Sequence, residues 1–175
     1  MQHYLISKIS ERVYTFTSSI GCVYHCYFFD FSAAFSDYPA LAANVFGFNL
    51  ELKEKPEGVQ KIPPDKKIAV TVVDIVKAFL NEKENTVIYI CDTIDNRHKA
   101  RFHKFNHWFE IFNDGNYLQL KGSIRAGGID ILNALLMHRE NPLANDFIEA
   151  YHILTGVYIK PDDDELQNML NDDGW

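Results

Sequence analysis

At 175 residues the chain is long enough to bury one substantial core without help from disulfides or metals. A hydrophobic content of 47% with 14% aromatics excludes a disordered chain. The formal charge of -7 argues against a general grip on nucleic acid, which calls for a basic face to neutralise phosphates. Three cysteines, in no zinc or disulfide spacing, point to a reducing compartment, so the expected location is the cytoplasm. The start MQHYLISKIS lacks the charged residues and long apolar run of a signal peptide, and no stretch approaches the roughly 18 apolar residues of a membrane span. A soluble, unprocessed protein with no membrane partner is the expectation.

Taken in order, residues 4–9, 12–17, 22–31 and 45–52 are rich in aromatic and β-branched residues and predict an antiparallel meander. Cys22 and Cys26 share a face of the third strand, away from His25, which suits small buried thiols better than a metal site. Residues 32–44 read as a loop or a short helix. Pro56, Gly58, Pro63 and Pro64 mark a connection, after which Ile68, Val72, Ile75, Val76 and Phe79 give the stripe of a helix starting near Asp65.

The continuous apolar run 87–91 predicts a central strand covered on both faces. A polar loop and an aromatic helix beginning near Asn96 follow. On that helix His98, Phe102, Phe105, Phe109 and Phe112 fall on the core face. Arg101 and Trp108 lie on its flank beside Arg97 and Lys104, while Lys99, His103, His107 and Glu110 point away. Further strands follow at Leu118–Leu120 and 132–138, then a helix over 144–154 packed through Phe147, Ile148, Tyr151 and Leu154. The fold class is therefore α+β: meander, helix, central strand, aromatic helix, two strands and a C-terminal helix around one sheet. A single domain is assigned to residues 1–160, and residues 161–175 to an acidic tail or short helix.

The chemistry concentrates at the start of the aromatic helix. Arg97, Lys99, Arg101 and Lys104 sit near the positive end of the helix dipole, which disfavours cations and calls for negative charge. Asp92 and Asp95 are the structural ion-pair candidates. A bound phosphate is the alternative, because helix-start amides and arginines form an anion site. Cys91 and Arg97 reproduce the Cys-x5-Arg spacing of a cysteine-phosphatase loop between a strand and a helix, which makes Cys91 a weak catalytic candidate. Two carboxylates and no glycine in that loop oppose a thiolate and a phosphate alike. His103, His107 and Glu110 could share a zinc by spacing, but they lie on the solvent face, a hydrated polar face is the better explanation, and no metal is expected. No Walker loop, GxGxxG turn or serine elbow occurs, so no cofactor is expected.

The pattern formed by Cys91, Asp92, Asp95, Arg97, Arg101, Phe105, Trp108 and Phe109 resembles a bacterial family of small proteins of unknown function that carry CDxxDxRxxxRxxxFxxWF. The resemblance implies a fold and no activity. The leading functional expectation is a non-enzymatic regulatory protein acting through a protein partner or self-association, on the model of an immunity or antitoxin-like neutraliser. Its docking candidates are Asp162, Asp163, Asp164 and Glu165 in the tail. The alternative is a phosphate- or nucleotide-recognising enzyme or sensor at the Cys91–Arg101 loop. The third is a local nucleic-acid binder through the basic helix.

Overall fold

Strand-favouring residues in the first third of the chain form four consecutive antiparallel strands, β1 (Ser7–Ser10), β2 (Val13–Thr17), β3 (Val23–Asp30) and β4 (Val45–Glu54). The computed structural model describes residues 2–91, 97–126, 128–156 and 162–170. Between β3 and β4 the undecided stretch folds as a 3-10 turn, Ser32–Phe35, and a single helical turn, α1 (Pro39–Ala42).

Helix α2 (Lys66–Leu80) starts where its cap residue dictates: the Asp65 carboxylate accepts from the Lys67 backbone N–H at 2.8 Å, satisfying one of the first-turn donors. The other Asp65 oxygen accepts from the Tyr4 hydroxyl at 2.7 Å, and the Tyr4 backbone N–H donates to Thr71 Oγ1 at 2.9 Å. The segment before β1 is thereby tied to α2.

Beyond α2 come β5 (Thr86–Ile90), α3 (His98–Phe112), β6 (Tyr117–Ala126), β7 (Ile129–His138), α4 (Ala144–Leu154) and α5 (Asp163–Leu170). The seven strands form one sheet in the order β1-β2-β3-β4-β5-β7-β6. All neighbours are antiparallel except β4 and β5, which run parallel through α2. This is the expected α+β fold. Strand β5 begins and ends one residue earlier than the apolar run 87–91 suggested. Beyond Ile88 it loses β4 as a partner, and Ile90 is 40% exposed.

Side-chain alternation then assigns the layers. Val87 and Tyr89 of β5, Phe46, Phe48 and Leu50 of β4, and Leu136 of β7 face one core, which α2 and α3 cover with Val72, Val76, Phe102, Phe105 and Phe109. Ile88, Leu135 and Met137 face a second core completed by Phe35, Leu41 and the α4 residues Phe147, Ala150 and Tyr151. Ile148 and Leu154 pack at its border. Cys22 and Cys26 are fully buried thiols in the first core.

Next to its last turn, α4 presses on β6. A Cβ on Gly122 would lie 2.6 Å from both Cβ and Oγ1 of Thr155 and 3.0 Å from the Tyr151 hydroxyl. Thr155 Cβ is fixed to its backbone and cannot swing clear. Gly122→Val is therefore expected to lose about 1–3 kcal/mol by overpacking, read as a lower urea midpoint. One residue on from Thr155, the backbone of Gly156 bridges to Ser123, its N–H donating to the Ser123 carbonyl at 2.7 Å.

Candidate functional site

Cys91 and Arg97 stand at the two ends of the polar connection from β5 into α3. Residues 92–96 lie outside the described residues, and with them the expected ion-pair acids Asp92 and Asp95. Arg97 takes the N-cap position of α3 without a side-chain capping bond.

Strand pairing explains what lies beside this junction. Val45, Phe46 and Gly47 of β4 pair with Thr86, Val87 and Ile88 of β5. From Phe48 onward the described partner of β4 is β3. Where the parallel pairing stops, a cavity of about 410 Å³ opens. Phe48, Leu50 and Leu52 of β4 wall one side, and Tyr89, Ile90 and Cys91 the other. Arg97, Arg101 and Phe105 of α3 line the cavity too, and Lys55, Gln60 and Ile62 enter from the connection before α2. Such a volume falls in the range of about 300–1,000 Å³ typical of small-molecule sites.

The charge balance of the described lining is cationic, with Arg97, Arg101 and Lys55 against Glu51. Glu51 is itself paired to Lys53 at 3.2 Å. Two arginines one helical turn apart at a helix start suit a carboxylate or phosphate, to which each can offer paired N–H donors. Cys91 is a different matter. Burial pushes its thiol up to about 12, although the Arg101 guanidinium pulls the other way. A thiol in that range carries almost no thiolate at neutral pH and makes a poor nucleophile.

Tyr89, in the cavity wall, belongs to a part-buried polar chain. The Gln119 amide Nε2 donates to the Tyr89 hydroxyl at 3.1 Å and to Asn106 Oδ1 at 3.0 Å. Desolvation holds the Tyr89 phenol well above its ordinary pKa. Asn106 Nδ2 is buried with no hydrogen-bond partner among the described residues.

One expectation for α3 is corrected here. His103, placed on the solvent face by its helical angle, is only 4% exposed. The reason is β6, which extends the sheet beyond β7 and brings Gln119 to Asn106 and Lys121 to Glu110. The buried face of α3 is thereby wider than its phenylalanine stripe. His103, His107 and Glu110 do not meet: His107 lines a second cavity and Glu110 is exposed, paired with Lys121. Among the described residues no group of three or more metal-ligating side chains is placed to hold an ion.

The four basic candidates are likewise divided. Arg97 and Arg101 share the first cavity, Lys104 lines the second, and Lys99 is exposed to solvent. Asp162, Asp163, Asp164 and Glu165 are exposed at the start of α5, which packs against α3. Lys55, Gln60 and Ile62 were missed by sequence reasoning. Their stretch reads only as a proline-rich connection, and nothing in its composition says that it folds against a helix start. No helix among the described residues is long and apolar enough to cross a membrane.

No curated protein and no solved structure matches the chain. A match to a known family covers residues 64–153, a little over half of the chain, from the start of α2 to the end of α4. It takes in Cys91, Arg97, Arg101 and the whole of α3, and the chain thus belongs to the Family of unknown function (DUF6169).

Proposed function

We propose that this chain is a non-enzymatic binding protein that holds a small anionic molecule, a phosphate ester or carboxylate, in the cleft where β4 and β5 part. The observation that carries this reading is the cavity of about 410 Å³ with Arg97 and Arg101 in its wall. The elevated Cys91 thiol supports binding over covalent phosphoryl transfer. Calorimetric titration with methyl phosphate is expected to give saturable binding that weakens at least tenfold in Arg101→Gln, the loss of one charge-assisted pair. Arg101→Lys should recover part of it. Hydrolysis of p-nitrophenyl phosphate should stay at background in the native chain and in Cys91→Ser. Absence of saturable binding, or a hydrolysis that vanishes in Cys91→Ser, would overturn the reading.

A macromolecular partner is the second reading. It is favoured by the first turn of α5, whose acids are exposed while Leu166, Met169 and Leu170 are half-buried. A helix so placed presents carboxylates to a basic surface. A stoichiometric complex that dissociates with rising salt, and is lost when Asp163, Asp164 and Glu165 are replaced by lysine, would support it.

A further inference from the structure

A second cavity, of about 470 Å³, lies farther along α3. Its walls are mostly apolar: Trp108, Ile111 and Phe112 of α3, Ile68 of α2, Tyr24 of β3 and Leu170 of α5. Lys104 also lines it. Ile62, in the connection before α2, lines both this cavity and the arginine-walled cleft.

The two chambers follow one stripe of a single helix. Arg97, Arg101, Lys104, Trp108 and Ile111 are spaced four, three, four and three residues apart, the spacing of one helix face. The cations occupy its first half and the apolar residues its second. From Arg101 to Ile111 the helix rises about 15 Å.

We infer that the two cavities are the head and tail compartments of one site, and that its ligand is a single-chain amphipathic anion. The charged group sits between Arg97 and Arg101, and the alkyl chain passes Ile62 to lie beside Trp108. This rests on the anion-binding reading of the first cavity and names the class of molecule it takes. A purely polar metabolite would leave the apolar chamber to water, whereas an alkyl chain gains from every methylene it buries there.

The test is an alkyl phosphate series, methyl, butyl, octyl and decyl, each below its micelle concentration, titrated against the full chain carrying Trp175→Phe. That replacement leaves Trp108 as the single tryptophan and a fluorescent reporter of the tail chamber. Affinity is expected to rise about fourfold per methylene buried, with Trp108 emission moving only for the longer chains. Arg101→Gln should weaken every member of the series. Ala69→Phe, which places a ring in the second chamber, should flatten the chain-length dependence and spare methyl phosphate. Gln167→Phe, at an exposed position of α5 that of the two cavities lines only the second, gives the same readout should the α2 variant fail to fold. If methyl phosphate binds but affinity does not grow with chain length, the two-compartment inference falls while the anion cleft stands. If no member binds, both fall. Decanol binding as tightly as decyl phosphate, and indifferent to Arg101→Gln, would make the apolar chamber a separate site and overturn the inference.

Discussion

Phe105→Ala is expected to lower the unfolding free energy by about 3–5 kcal/mol, the cost of emptying a buried aromatic site. Phe105 is 1% exposed. Its ring lies edge-on to Tyr89 with centroids 4.4 Å apart, and stacks near-parallel on Phe48 at 5.3 Å. One side chain on α3 thus joins β5 to β4 just where their backbone pairing has ended. A small domain is stable by roughly 5–15 kcal/mol in total, so the loss should appear as a large fall in the urea midpoint. Phe105→Leu, which refills most of the space, should cost less than half as much. A loss below 1 kcal/mol for the alanine variant would show that the helix is not what holds the two strands over the cleft.

Acidification should destabilise the protein through His103, and Gln at this position should remove that sensitivity. Burial lowers the His103 imidazole from 6.5 to about 4, with Lys121 and Lys99 adding to the effect and Glu110 opposing it. Above the unfolded-state pKa neither the folded nor the unfolded chain carries this proton, and the neutral ring contributes its full stability. As pH falls from about 6.5 towards 4, the unfolded chain takes up a proton that the folded chain refuses, so stability drops across that window and then levels off. The full shift corresponds to about 3 kcal/mol. Urea unfolding of the native chain and His103→Gln at pH 7 and pH 4.5 isolates the term from the carboxylates common to both. A native chain that loses no more stability than the variant would show that His103 is protonated in the fold.

Much of this architecture was legible because its local signals agree with one another. Alternation in β4, the Asp65 cap of α2 and the turn at Asn113, where the side-chain oxygen accepts from Gly115 N–H at 3.0 Å, each state their element without reference to the rest of the chain. The parallel β4–β5 pair follows from the intervening helix. What could not be read is what distant segments do to one another. His103 looks solvent-facing on a helical wheel, and it is tertiary packing, with Gln119 and Lys121 of β6 brought to this side of α3, that accompanies its burial. The same holds for the cleft. Its arginines and Cys91 are conspicuous in sequence, but the cavity itself comes from β4 outrunning its pairing with β5 and from Ile62 folding back, features set by register rather than by composition. The docking of α5 on α3 has the same origin. Acidic residues announce a charged helix, whereas the apolar chamber shared by Leu170 and Trp108 is a tertiary matter.

The bridge between Gly156 and Ser123 also bears on how copies of the chain meet. A sheet ends in unpaired backbone donors and acceptors, and two such margins on one molecule invite head-to-tail polymerisation. Strand β6 is one margin, and the chain lays its own Gly156 backbone along it. The other, β1, is only four residues long and carries a register shift between Lys8 and Ser10. The long margin is thus interrupted at Ser123 and the short one by its register shift, and each is a poorer template for an added strand than an open edge of the same length.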